Sequence, residues 1–85
     1  MSDVNYENLK KNDLVFYARI MPQIKYYEIM ELQMVSVYST YCTGTDLKTK
    51  QTYLLKRNKA EEVLFLSERL AIEYLREKKE CGGND

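Results

Sequence analysis

The sequence predicts a small, mainly β domain that ends in one α-helix. Two observations carry this prediction: β-branched and aromatic residues cluster in short runs between turn-forming residues, and the segment from residue 67 has helical periodicity. We expect an SH3-like barrel capped by the helix; the alternative is an open α+β antiparallel sheet with one helix. We expect the 85 residues to form a single domain. The expected parts are an N-terminal lead-in (1–12), strands (14–66), a helix (67–80) and a flexible tail (81–85).

The first strand is predicted over residues 14–20, where apolar and aromatic residues follow one another. We expect the even-numbered side chains of this strand to face the core. Val15, Tyr17 and Arg19 would then face solvent. Pro22 ends the pairing, because proline has no N–H group to donate to a neighbouring strand.

The second strand is predicted from residue 26 to residue 41. Its apolar residues change phase: Ile29 has an odd number, Met30, Leu32 and Met34 have even numbers, and Val35 and Val37 have odd numbers again. A strand that bends sharply or carries a bulge would show such changes. Residues 26–34 are also compatible with a helix, because Met, Glu, Leu and Gln favour helices. We favour a strand, since the following residues are β-branched, aromatic or hydroxylated.

The remaining elements are shorter. Residues 43–50 have turn chemistry and residues 51–55 resume as a strand, which indicates a hairpin. A second turn at 58–59 precedes a short apolar strand at 63–66. Ser67 is placed to cap the helix, since its hydroxyl can accept from a free N–H group of the first turn. The stripe that would pack on the sheet consists of Leu70, Ala71, Tyr74 and Leu75.

Composition excludes several kinds of site. The chain has 13 basic and 13 acidic residues but no His, so it has no His-activated nucleophile and no imidazole metal ligand. Cys42 and Cys81 are too distant in sequence for a CxxC motif, and they predict a reducing compartment. We expect no signal peptide, because residues 1–5 have no apolar region, and no membrane span, because no apolar run reaches the necessary length. We predict a cytoplasmic, non-enzymatic protein without a cofactor and without membrane association.

Three stretches form a combination that resembles short accessory proteins of bacterial phages and prophages. They are residues 17–22 (YARIMP) with 27–28 (YE), residues 44–54 (GTDLKTKQTYL), and residues 63–67 (VLFLS) with the helix that contains Ala71. The resemblance spans residues 14–77. It implies an origin in a mobile element, and it transfers no catalytic or binding residue.

A basic segment is the best candidate site. Residues 46–59 carry five bases against one acid, a balance of +4, whereas residues 60–85 carry four bases against seven acids, a balance of −3. Tyrosines accompany the bases, and aromatic faces beside Lys and Arg can anchor a partner protein or stack nucleic-acid bases. An ordinary solvated hairpin is the competing interpretation. The predicted binding residues are Tyr38, Tyr41, Tyr53, Lys48, Lys50, Lys56 and Arg57.

The predicted function is stoichiometric binding to a host or viral protein. The resemblance implies one concrete form, a phage-type inhibitor of a host defence component. A nucleic-acid or nucleotide-binding module that uses the same Tyr/Lys face is the first alternative. A homo-oligomeric structural protein, paired through its sheet edges, is the second.

Overall fold

Five strands and two helices make up the protein in the computed structural model, which describes residues 3–82. The strands are β1 (Leu14–Met21), β2 (Tyr26–Val37), β3 (Tyr41–Asp46), β4 (Thr52–Lys56) and β5 (Leu64–Phe65). The helices are α1 (Arg57–Val63) and α2 (Glu68–Gly82), and two 3₁₀ turns lie at Tyr6–Asn8 and Pro22–Ile24.

The strands form one antiparallel sheet in the order β4-β3-β2-β1-β5. β4 and β5 occupy its two edges, and no bridge joins them within residues 3–82. Closure would require these edges to pair, but β5 has only two residues, which pair with β1. The predicted barrel is therefore wrong. The alternative, an open antiparallel sheet with a C-terminal helix, describes the fold better.

β2 is a strand throughout, and it contains the predicted bulge. Met34 lies opposite Gly44, but Ser36 lies opposite Thr43, so Val35 is an extra residue in the ladder. The bulge explains why the apolar positions change from even to odd numbers along this strand.

β1 departs from the predicted orientation. Val15 and Tyr17 are buried, whereas Leu14 is 50% exposed. Successive strand residues face opposite sides of a sheet, and the neighbours Tyr17 and Ala18 are both buried. The protein thus covers both faces of β1 at Tyr17 and Ala18. The alternation of residue types along the strand therefore could not show which face lies against the core.

Two predicted turns differ from the structure. The chain reverses at residues 38–40, within the predicted second strand. Residues 43–46 of the predicted turn belong to β3, whereas its residues 47–50 do lie in the turn between β3 and β4. Gly44 serves close packing here, since a Cβ atom at this position would lie 3.3 Å from the Met34 Sδ atom. Residues 57–63 form α1 instead of a turn and the start of a strand.

The segments at the two ends of the described chain pack on the sheet. Tyr6 and Leu9 of the N-terminal lead-in are buried in the core. The backbone N–H of Leu70 donates to the Ser67 hydroxyl (3.2 Å), which confirms the predicted cap. Ala71 and Tyr74 are buried, which confirms the packing stripe of α2. α2 continues two residues past its predicted end, and residues 83–85 of the predicted tail lie outside the described residues.

Within residues 3–82, no helix has the length and apolar character needed to cross a membrane.

Candidate functional site

Six of the seven predicted binding residues divide between the two ends of the β3–β4 hairpin, and the seventh, Tyr53, lies within β4. The end beside α1, which we call the tyrosine end, consists of Tyr38, Tyr41, Lys56 and Arg57. The opposite end is the lysine loop, residues 47–51, which contains Lys48 and Lys50. Five residues of strand separate the two ends, a distance of about 17 Å. They are therefore two separate surfaces.

Two tyrosine rings form the exposed part of the tyrosine end. The ring centroids of Tyr38 and Tyr41 are 4.8 Å apart with an angle of 35° between the ring planes. The backbone N–H of Tyr38 donates to the carbonyl oxygen of Tyr41 (2.8 Å), and the Tyr38 residue is 51% exposed. Tyr41 pairs with Lys56 across the hairpin, so the exposed Lys56 side chain leaves the sheet on the same face as the Tyr41 ring.

Arg57 connects the tyrosine end to the rest of the fold. Its backbone N–H donates to the Thr40 carbonyl oxygen (2.9 Å), and its side chain donates to the Ser39 carbonyl oxygen (3.4 Å). The guanidinium group also pairs with Glu61 (3.1 Å) and lies 4.9 Å above the Tyr6 ring. Arg57 is therefore engaged within the protein, whereas Lys56 is exposed and available to a partner.

Tyr6 supports the same turn from below. Its hydroxyl donates to the carbonyl oxygen of Tyr38 at 2.5 Å. Burial, followed by the neighbouring Cys42, raises the pKa of Tyr6 to about 12. Burial also raises the pKa of the Cys42 thiol above its ordinary value. A buried thiol that stays protonated is a poor nucleophile, so we assign the contact between Tyr6 and Cys42 a structural role.

The lysine loop is organised by one buried carboxylate. Asp46 Oδ1 accepts from the backbone N–H groups of Lys48 (2.7 Å) and Thr49 (3.4 Å), and the Asp46 residue is buried. Lys50 has a φ of 66°, and its N–H donates to the Asp46 carbonyl oxygen (2.8 Å). These bonds hold the loop backbone while the side chains of both lysines remain exposed.

Tyr53 lies on β4 but its ring faces β1. The ring meets Tyr17 edge-on, with the centroids 6.0 Å apart. The Arg19 guanidinium lies 5.3 Å from the centre of the Tyr53 ring and 5.9 Å from that of the Tyr26 ring. The tyrosine ring is thus occupied by contacts within the protein.

Sequence reasoning did not single out Arg19. An arginine within an otherwise apolar and aromatic strand was the available signal, but its ring partners are brought together only by the folded sheet.

Among the described residues, no cluster of three or more His, Cys, Asp or Glu side chains could hold a metal ion. Two open clefts flank the lysine loop, with volumes of about 250 and 320 Å³. Both are lined in part by Asp46 and Leu47.

Comparison of the chain with known protein families, with curated proteins and with solved structures finds no match. The resemblance to phage accessory proteins therefore stays a prediction.

Proposed function

We propose that the protein acts by stoichiometric binding to a protein partner through the tyrosine end. The observation that carries this proposal is the exposed Tyr38 ring, packed on Tyr41 beside a free lysine. Tyrosine gives a large, rigid contact area with a polar tip, and it is enriched in the energetically important centres of protein interfaces.

The backbone of this surface is held in place before any partner arrives. The backbone N–H and carbonyl groups of Tyr38 form hydrogen bonds with Tyr41 and Tyr6. Arg57 donates hydrogen bonds to the carbonyl groups of Ser39 and Thr40, the next two residues of the turn. Association costs free energy for each group that it orders. A turn that is already held loses little freedom on binding, which supports a recognition role.

The charge around the hairpin favours an acidic partner. Lys48, Lys50 and Lys56 are all exposed, and within residues 3–82 none forms an ion pair with a carboxylate. A basic surface of this kind steers an acidic partner towards the site and raises its association rate. The resemblance described above suggests a host or viral protein, and inhibition of a host defence component is the form of activity that it implies.

Nucleic-acid binding has less support from the geometry. Base stacking needs an aromatic face beside the phosphate-binding lysines. Tyr53, the predicted stacking residue on β4, is engaged by Tyr17 and Arg19. The exposed ring of Tyr38 has Lys56 near it but lies at the opposite end of the hairpin from Lys48 and Lys50, so the lysines are not grouped around one aromatic face.

The test is affinity capture from a bacterial lysate, half of which is treated with nuclease. Wild-type protein is compared with Tyr38→Ser and with Ile24→Ser, a control that removes an exposed apolar side chain (68% exposed) from the β1–β2 connection. We expect one protein to be retained by the wild type and the control in both halves, and to be lost with Tyr38→Ser.

Two results would contradict the proposal. Loss of all captured material on nuclease treatment would identify a nucleic-acid binder, whose affinity should then fall linearly with the logarithm of salt concentration. Equal capture by Tyr38→Ser and the wild type would exclude the tyrosine end. Light scattering of the pure protein tests the homo-oligomer alternative, which predicts a mass above the 10.1 kDa of one chain.

A further inference from the structure

β4 is an edge strand whose hydrogen-bond pattern can be followed from both of its ends. At one end the Asp46 N–H donates to the Gln51 carbonyl oxygen (2.8 Å), and at the other the Arg57 N–H donates to the Thr40 carbonyl oxygen (2.9 Å). Both pairs belong to the same antiparallel register. In such a ladder, bonded pairs alternate with unbonded pairs, so the direction of every backbone group of β4 follows.

Tyr53 and Leu55 direct their backbone groups towards β3, whereas Thr52, Leu54 and Lys56 direct theirs away from the sheet. The side chains of the last three residues share one face and are exposed, and Leu54 is 61% exposed. β4 thus presents outward N–H and carbonyl groups together with an apolar side chain at its centre.

The opposite edge of the sheet is protected. β5 has only two residues, both of them buried. Just beyond it, the backbone N–H of Leu66 donates to the Asp3 carboxylate (2.8 Å). Short edge strands and covering groups are means by which proteins prevent pairing with another chain. In the described part of the chain, β4 has neither a proline nor a bulge nor a comparable cap.

We propose that the edge of β4 binds an extended, acidic segment of the partner protein as a sixth, antiparallel strand. This inference rests on the proposed function and adds the chemistry of the partner. The main-chain groups of the edge supply hydrogen bonds, and the side chains select the partner sequence. An apolar residue of the segment packs on Leu54, and acidic residues at its two ends face Lys56 and the lysine loop.

Charge favours an acidic partner segment over a second copy of this chain as the occupant of the β4 edge. Two copies paired antiparallel about Leu54 would place Lys56 of each opposite Thr52 of the other. In that arrangement the residue opposite each Lys56 is uncharged, so a second copy offers this lysine no complementary charge across the strands. An acidic segment supplies the missing charges.

The direct test uses two seven-residue peptides, ETVTVTE and its charge-reversed counterpart KTVTVTK, with blocked termini. Binding and amide hydrogen exchange are followed by NMR. We expect the acidic peptide to slow exchange at Thr52, Leu54 and Lys56, and to leave exchange at Tyr53 and Leu55 unchanged because those amides already bond to β3. The basic peptide should bind about tenfold more weakly. Protection elsewhere, or no binding by the acidic peptide, would overturn the proposal.

Two edge variants separate the main-chain and charge contributions. Leu54→Pro removes an N–H that points outward, so the β3–β4 ladder is retained, as proline is tolerated at such edge positions. Leu54→Thr is its matched control, since it removes the leucine side chain and keeps the N–H. We expect Leu54→Pro to reduce the affinity for the acidic peptide more than Leu54→Thr does. An equal reduction in the two variants would exclude main-chain pairing.

Lys56→Glu keeps the test decisive even if the proline variant does not fold. This surface change should weaken binding of the acidic peptide and strengthen binding of the basic one. An unchanged preference for the acidic peptide would contradict the proposed pairing of Lys56 with an acidic residue.

The captured partner then distinguishes the two proposals. If Tyr38→Ser loses the partner but Leu54→Pro retains it, the edge proposal fails and the proposed function stands. If no protein is retained after nuclease treatment, the proposed function itself fails. Concentration-dependent protection of the β4 amides without peptide would show that a second copy occupies the edge, which would also overturn the proposal.

Discussion

The Tyr6 hydroxyl provides a direct test of the contact that holds the tyrosine end. Tyr6→Phe removes one oxygen atom and leaves the buried ring in place. The lost interaction is the hydrogen bond to the Tyr38 carbonyl oxygen, 2.5 Å long and partly buried. A hydrogen bond of this type contributes about 0.5–1.5 kcal/mol to stability, and we expect the free energy of unfolding to fall by about 1 kcal/mol.

The ring itself should matter more than the hydroxyl. Tyr6 is buried in the core, and the Arg57 guanidinium lies over its ring. Truncation of a buried aromatic side chain to alanine costs about 3–5 kcal/mol. The expected order of stability is therefore wild type, then Tyr6→Phe, then Tyr6→Ala. For a domain of this size, each kcal/mol corresponds to about 4–8 °C in Tm.

Urea denaturation at pH 7 measures these differences. Tyr27→Phe is the matched control: Tyr27 lies under Lys79, and its hydroxyl makes no hydrogen bond with the described residues. Its removal should change the free energy of unfolding by less than about 0.5 kcal/mol. If Tyr6→Phe and Tyr27→Phe have the same stability, the Tyr6 hydroxyl does not hold the turn, and the argument for a preformed surface fails.

The pH dependence of stability gives a second measurement on the same group. The pKa of Tyr6 is raised from 10.0 to about 12, mainly by burial. A group with a raised pKa in the folded state contributes its full stabilisation below the unfolded value and loses it as the pH rises through the folded value. Wild-type stability should therefore fall between pH 10 and 12, and Tyr6→Phe should fall less steeply.

Three further changes test other parts of the fold. Ser67→Ala removes the cap of α2 and should cost about 1 kcal/mol in urea denaturation, whereas Ser67→Asp should not. Cys42 is buried, so in a Cys81→Ser background its labelling by a thiol reagent should rise only as urea unfolds the protein; rapid labelling without urea would contradict the burial. The Tyr74 hydroxyl donates to Glu62 (2.7 Å) and holds the pKa of that carboxyl below its ordinary value of 4.5. This stabilisation is complete above pH 4.5 and is lost as the pH falls through the lowered pKa, so Tyr74→Phe should lose less stability on acidification than the wild type.

Features that depend on neighbouring residues in sequence could be predicted. The cap at Ser67 needs only a hydroxyl before a helical stripe. The bulge at Val35 left a visible change of phase, because an extra residue moves all later side chains to the other face. Both signals are contained within a few consecutive residues.

Features that depend on distant contacts could not be predicted in this way. The turn at residues 38–40 is held by Tyr6 and Arg57, which come from segments on either side of it in sequence. The sequence TGTD at 43–46 has turn chemistry, but these residues form a strand in which Gly44 leaves room for the closely approaching side chains of Met34 and Leu32. Tertiary packing overrides local preference at both places.

The candidate site shows the same contrast between features set by neighbouring residues and features set by distant contacts. Its residue types were recognisable because bases and tyrosines cluster between positions 38 and 57. Their separation into two surfaces was not recognisable, because it depends on where the chain reverses. With a turn at 38–40, Tyr38 lies near Lys56 and far from the lysine loop.

The hydrogen bond from Tyr6 to Tyr38 should also affect the affinity of the tyrosine end for a partner. Tyr6 is buried and cannot contact a partner, yet it fixes the carbonyl group of Tyr38. If the hydroxyl is removed, the turn must be ordered during binding, and the cost of that ordering is subtracted from the affinity. Tyr6→Phe should therefore weaken association with the partner although no contact is lost. A surface residue that touched the partner would change affinity without changing stability, so the joint loss of both in this variant distinguishes preorganisation from direct contact.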